Sequence, residues 1–199
     1  MGWSSDTAFL NGLDFFSLAV TSLQPSDWRR ASPCSAWTTL DVLGHVGTAV
    51  SFGTSLLVGE PATWAPSDPP GASVVGPPEQ WWDAIVAPAR QAVADADLAR
   101  VVTSPQGDRT VGEGLSFPAL DLFVHAWDLR RSAGVETEIP IEAIAFAHGV
   151  LDSVPAERLR SPRVFSASVV PPANASPTDE FIAWTGRDPL WAPPVATPA

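Results

Sequence analysis

A chain of 199 residues with 45% hydrophobic side chains is long enough for one sizeable core. Its 22 acidic against 11 basic residues give a formal net charge of -11, which opposes phosphate backbones and anionic lipid and argues against nucleic acid or a membrane as partner. Every basic residue is Arg, so Schiff-base chemistry and a Walker-type phosphate-binding lysine are excluded.

Cys34 is the only cysteine, so no intrachain disulfide forms, in keeping with a reducing compartment. A small, semi-apolar residue just before a helix reads as structural rather than as a nucleophile. No uninterrupted apolar run has the length of a bilayer span, and the N-terminus lacks the basic start of a secretory signal. The expectation is a cytoplasmic protein.

Phe9, Leu13, Phe16, Val20 and Leu23 recur at intervals of three and four, which predicts an amphipathic helix from Ser5 or Asp6 to the break at Pro25. Thr38-Thr-Leu-Asp41 resembles a capping box with Asp in place of Glu. Leu43, Val46, Val50 and Leu57 then continue one apolar face, placing His45 in the first turns of a second helix. Gly59 to Pro78 is rich in proline and glycine and reads as a long surface loop able to cover a site.

A third helix is predicted over 79–97, with Trp81, Trp82, Ile85, Ala89 and Val93 inward and Pro88 as a kink. Residues 104–114 read as turns. Ser116 as N-cap, Pro118 in the first turn and Gly134 as the stop define a fourth helix. Another helix runs from Pro140 through Asp152, and Val164–Val170 favours a strand without an identifiable partner. Ser176-Pro-Thr-Asp179 caps a short last helix carrying Phe181, Ile182 and Trp184, which Gly186 ends; the tail beyond Trp191 is expected to be mobile. The fold expected is mainly α, an up-and-down four-helix bundle with an additional helix over 1–154 and a C-terminal extension over 155–199 packed on it.

Asp121 and His125 are four residues apart on the fourth helix and project from one face. With His45 from the second helix they would form a His/Asp/His set facing inward, the way bundles build cofactor sites, with open positions on a bound metal. Spacing alone is weak, because Asp-x-x-x-His is also an ordinary helical pair. Asp41-x-x-x-His45 has the same spacing, yet Asp41 falls where a carboxylate serves the cap. Asp128 either orients His125 or pairs with an arginine, the ion pair being favoured. Trp37 and Trp127 lie near the candidate ligands and either line a pocket or simply pack. His148, near a helix end, stays outside the set.

Three segments carry a family resemblance: Ser32-Pro-Cys-Ser-Ala-Trp37-Thr-Thr-Leu-Asp41-Val-Leu-Gly-His45, Leu122-Phe-Val-His125-Ala-Trp127-Asp128-Leu, and Phe181-Ile-Ala-Trp-Thr-Gly186-Arg187-Asp188-Pro189. Together they resemble the actinobacterial metal-binding proteins related to the N-terminal domain of mycothiol-dependent maleylpyruvate isomerase, within the DinB-like fold. The resemblance implies a divalent metal on His45, Asp121 and His125, with zinc the first choice and nickel, iron or manganese also accepted. The isomerase-type pattern has glutamate where this chain has Asp121, so the shorter side chain either ligates after a small helix shift, acts through water, or leaves the site poor in metal. The isomerase also draws an arginine from an additional C-terminal domain, for which the shorter extension here is no replacement, so maleylpyruvate isomerisation itself is not expected.

The function this implies is a metal-dependent thiol transferase, with mycothiol as a plausible co-substrate and a small electrophile as partner, in a monomer or homodimer. No general base is identifiable. The alternatives are a non-catalytic bundle binding a small molecule or a protein, and a metal-dependent hydrolase.

Overall fold

The computed structural model describes residues 2–61, 64–104, 107–160 and 164–194. Four long helices form the bundle: α1 (Ser5–Thr21), α2 (Thr39–Val58), α3 (Pro78–Asp95) and α5 (Ser116–Ser132). α1 packs on α5 and α3, and α2 on α3 and α5, which closes a ring around Phe9, Leu13, Phe16, Leu43, Val46, Val50, Trp82 and Leu122, all but inaccessible to solvent. The α1 and α2 residues among them are those that the three-and-four spacing assigns to the apolar faces of these helices.

The helix starts are set locally. Thr38 Oγ1 accepts the Asp41 N–H, while the Asp41 carboxylate accepts the Thr38 N–H at 2.8 Å, a complete capping box. The other oxygen of Asp41 accepts the Gly71 N–H at 2.9 Å and ties the 59–78 connection to α2. Asp41 thus serves the cap, as its place in the first turn requires. The short helix α8 (Pro177–Trp184) begins with the same device, Ser176 with Asp179.

Three expectations need correction. Ser116 is not the N-cap of α5: a single-turn helix α4 (Val111–Gly114), capped by Thr110 and Glu113, leads into it, and the Ser116 hydroxyl hydrogen-bonds Ser5 at 3.0 Å. Residues before α4 form an antiparallel hairpin, β1 (Val101–Ser104) and β2 (Gly107–Thr110), where only turns were expected; four-residue strands are too short to show a period-2 pattern. Val164–Val170 is not a strand among the described residues. It does not join the β1–β2 sheet; Phe165 makes only an isolated bridge to Arg160, with its N–H reaching Leu159 O, and Val169 N–H reaches Ala183 O, both at 3.0 Å.

Helices α6 (Ile141–Leu151), α7 (Ala156–Leu159) and α8 build a second core with the outer face of α5, around Phe123, Trp127, Ile144, Phe165, Phe181 and Ile182. α3 runs through Pro88, which lies on an exposed face. α2 is long and apolar enough to pass for a membrane span, at a mean hydropathy of 1.2, but 56% of that window is buried against its neighbours, as in a core helix. The last residues of the proposed mobile tail, 195–199, lie outside the described residues.

Close helix packing makes two glycines of α2 indispensable. A Cβ at Gly44 would stand 2.2 Å from Pro70 O, and one at Gly47 2.2 Å from the Trp81 ring. Gly149, on an exposed face of α6, has nothing within 4 Å. Gly44→Ala is therefore expected to lower stability by about 1–3 kcal/mol through overpacking, and Gly149→Ala to raise it by about 0.5–1 kcal/mol through helix propensity. Urea unfolding of the two variants side by side checks both signs.

Candidate metal centre

The second turn of α2 and the middle of α5 bring His45, Asp121 and His125 together, each offering one donor atom within 4.8 Å of the others. His45 Nε2 lies 3.4 Å from Asp121 Oδ2, and the two imidazole rings meet edge to face at 4.9 Å. Two donors held at about 2.1 Å from a tetrahedral cation stand roughly 3.4 Å apart, so the donor set fits a divalent metal of the zinc type. Asp121 brings its carboxylate to His45 despite being a methylene shorter than the glutamate of the resemblance.

The three residues differ in exposure. His125 is almost wholly buried, whereas His45 and Asp121 keep 18% and 27% of their side-chain surface. Burial pushes the His125 pKa down, against the opposing pull of Asp128, so its ring is neutral at physiological pH and able to ligate. Burial alone would raise Asp121; the hydrogen bond from His45 and the electrostatic influence of the two imidazoles and Arg187 outweigh it and hold the carboxyl below its usual range.

Behind His125 lies a second layer centred on the fully buried Asp128. Asp128, one turn on, accepts the His125 Nδ1–H at 2.8 Å. Its two oxygens also receive Arg187 Nε and Nη2, both at 2.8 Å, and the Cys34 thiol at 3.3 Å. Asp128 thus does both things its position allows: it orients His125 and forms an ion pair. With Nδ1 committed to Asp128, His125 keeps the Nε2 lone pair open, the arrangement typical of metal-bound imidazoles.

Arg187 and Cys34 are the residues that spacing did not pick out. Gly186, at φ +89°, turns the chain after α8; a Cβ there would meet Ser166 at 2.8 Å. This turn directs Arg187 inward, where Nη1 donates to Thr185 Oγ1 and Nη2 to Cys34 Sγ at 3.1 Å. Arg131 donates to Pro189 O and pins the same segment to α5. Cys34 sits in a tight loop in which Ser32 Oγ bonds Cys34 O and Trp37 O and Ala36 adopts φ +71°. Burial pushes the Cys34 thiol well above its ordinary range, so it is no thiolate nucleophile. The signal for Arg187 was its place in the Gly-Arg-Asp-Pro segment, which spacing arguments do not reach.

Trp37 lies against both imidazoles, 4.9 Å from His45 and 6.2 Å from His125 between ring centroids. Trp64 meets His45 edge-on at 5.7 Å and also contacts Phe52. Beyond Trp64 a cleft of about 350 Å³ runs along α2 past Thr48, Ser51 and Phe52 to Ala65 and Trp81. Trp127 is turned some 200° from His125 by the helix and packs in the second core with the Arg131 guanidinium 5.6 Å above its ring. His148 likewise packs on Phe181 and Trp184, away from the cluster.

A four-helix bundle with an inward His/Asp/His cluster, backed by a carboxylate and opening beside a cleft, belongs to the class of bundle proteins that build a candidate metal centre from facing helices. The chain is a member of the mycothiol maleylpyruvate isomerase N-terminal domain family, whose model matches residues 9–130. Two uncharacterised proteins from two strains of Mycobacterium tuberculosis are 26% identical to it over 187 residues, covering 87% of this chain and 92% of theirs. Two crystal structures of mycothiol-dependent maleylpyruvate isomerase, one of a histidine-to-alanine variant, share its fold with a TM-score of 0.59 at 19% and 18% identity. The likeness covers 71% of this chain but only 65% of the isomerase, so the chain spans less than two thirds of that enzyme's length.

The buried pair predicts a particular acid response. Burial alone would raise the Asp128 pKa, but the Arg187 charge and the His125 hydrogen bond hold it well below the carboxylate range. Its contribution to stability is therefore complete above the unfolded value of about 3.9 and is lost as pH falls from there toward the lowered folded value. Asp128→Asn should flatten the loss of stability between about pH 5 and pH 3 relative to wild type. Unfolding free energies measured across that range decide it; parallel curves contradict the account.

Proposed function

We propose that the protein is a divalent-metal protein that activates a low-molecular-weight thiol, plausibly mycothiol, for transfer to a small electrophile. The observation that carries this reading is the convergence of His45, Asp121 and His125 within 4.8 Å, with the His125 Nδ1–H taken by Asp128. A bound cation of this kind supplies Lewis-acid stabilisation of a thiolate near neutral pH. Zinc is the first choice for two imidazoles and one carboxylate; nickel, iron and manganese suit the same donors.

The chain's own residues do the rest. His45 and Asp121, being partly exposed, form the open side of the cluster, and Asp121 adds negative charge that favours holding a cation. Asp128 accepts the Nδ1–H and fixes the orientation of His125, while burial keeps its ring neutral. Trp37 and Trp64 shield the imidazoles from water on two sides. The cleft beside Trp64, large enough for a small ligand and lined by Ser51, Thr48, Phe52 and Trp81, is where the organic part of the thiol or its acceptor would lie. Cys34 takes no part as a nucleophile, since its thiol is buried and held between Asp128 and Arg187. The membership of a family named for a mycothiol-dependent isomerase supports the thiol over other nucleophiles.

Protein purified without chelator is expected to carry about one divalent metal per chain by elemental analysis. In the metal-free form, a divalent ion at 100 times its dissociation constant should add about 2.7 kcal/mol of stability, and His45→Ala or His125→Ala should remove that shift. Transfer of the thiol to a model electrophile should vanish on chelation. Wild-type transfer by His125→Ala would sink the mechanism.

A further inference from the structure

Arg187 enters the site from the segment after α8, outside the region 9–130 that the family model matches, and touches none of the three candidate ligands through a donor hydrogen bond shorter than 3.5 Å. We propose that Arg187 is a positioning residue: through Asp128 it locks the tautomer and orientation of His125, so that the C-terminal segment sets the competence of the metal centre.

The hydrogen-bond capacity of one carboxylate links Arg187 to His125. Asp128 has no exposed side-chain surface, and its two oxygens are held by the two nitrogens of one edge of the guanidinium, Nε on Oδ1 and Nη2 on Oδ2, at 2.8 Å. A side-on guanidinium fixes a carboxylate in both position and plane, which a point charge does not. Oδ2 then faces His125 Nδ1 at 2.8 Å as an acceptor only, so the imidazole proton belongs on Nδ1 and Nε2 carries the lone pair. The Arg187 Nη2 contact to Nδ1, at 3.5 Å, is far weaker and cannot reverse that choice. The Cys34 thiol closes the remaining side, bonded to Oδ2 and receiving Nη2.

Replacement of the carboxylate by a carboxamide makes the dependence visible. In Asp128→Asn the guanidinium would claim the carboxamide oxygen, turning the NH2 toward His125 Nδ1. A donor facing Nδ1 drives the ring proton to Nε2 and removes the lone pair that a metal needs. The inference relies on the metal reading above only for what Nε2 binds; the tautomer can be read in the metal-free protein.

The test is nitrogen-15 NMR of the imidazoles in metal-free protein, with three histidines assigned by single substitution, joined to competition of cobalt(II) against a chromophoric chelator. Wild type should show His125 protonated on Nδ1, and Asp128→Asn should show it protonated on Nε2. Among folded protein, Asp128→Asn should bind cobalt roughly 10–100-fold more weakly. Arg187→Lys, which keeps the charge and loses the planar grip, should retain the Nδ1–H tautomer but weaken cobalt binding several-fold. A purely structural ion pair would lower stability and leave tautomer and affinity unchanged in both variants, and that result overturns the proposal, as does an Nε2–H tautomer in wild type. If Asp128→Asn fails to fold, the wild-type tautomer and the affinity of Arg187→Lys still decide. Wild type that binds no cobalt yet shows the Nδ1–H tautomer, lost in Asp128→Asn, supports the positioning role while removing the metal reading.

Discussion

A carboxylate with no solvent contact is among the most costly groups a protein can bury unless its charge and all its lone pairs are met. Asp128 is met by the Nε–Nη2 edge of Arg187, by His125 and by the Cys34 thiol. Those partners come from three separate stretches of chain: the loop before α2, the helix α5 and the segment after α8. The ion pair therefore does more than neutralise itself. It holds the Cys34–Trp37 loop and the Gly186–Pro189 turn against one side of α5, and that side carries His125 toward His45 and Asp121.

The consequence is an asymmetric cluster. Its inner member, His125, is buried and oriented from behind, while His45 and Asp121 retain solvent contact and His45 meets Trp64. Such a layout suits a centre that must be stiff on one side and accessible on the other. A structural metal site, by contrast, is normally closed by four protein ligands, and only three donors converge on this side of His125 among the described residues.

What was legible in the sequence was local. The apolar faces of α1 and α2 follow from intervals of three and four, and the Thr38–Asp41 and Ser176–Asp179 boxes mark helix starts because both partners lie within one turn. The Asp121/His125 pair was visible for the same reason, the bundle pattern joined it to His45, and the family motifs made that set specific. What escaped depends on distance in sequence. Arg187 meets Asp128 across 59 residues and Cys34 across 153, and no periodicity encodes such a meeting. Trp37 and Trp127 looked equivalent by proximity to a ligand, yet only Trp37 touches the imidazoles, because two residues along a helix is more than half a turn. The β1–β2 hairpin and the Val164–Val170 segment, which makes only an isolated bridge, show the same limit from the other side. β propensity says that a stretch suits a sheet, and the availability of an edge decides whether it joins one.

The resemblance to the isomerase implies an arginine reaching the active site from an additional C-terminal domain, and this chain also sends an arginine into its site from the C-terminal side. The two are not interchangeable. Arg187 is 10% exposed, and its donors are committed to Asp128, Thr185 and Cys34. A guanidinium in that state has no free edge for the carboxylate of a substrate, and freeing it would strand Asp128 as an unpaired buried charge. Arg187 therefore acts on the ligand sphere rather than on a substrate. On the thiol-transfer proposal, an electrophile in the cleft would meet the aromatic rings and the hydroxyls of α2 with no arginine among the described lining residues, which favours an acceptor other than the dianionic acids that an arginine clamp is built to hold.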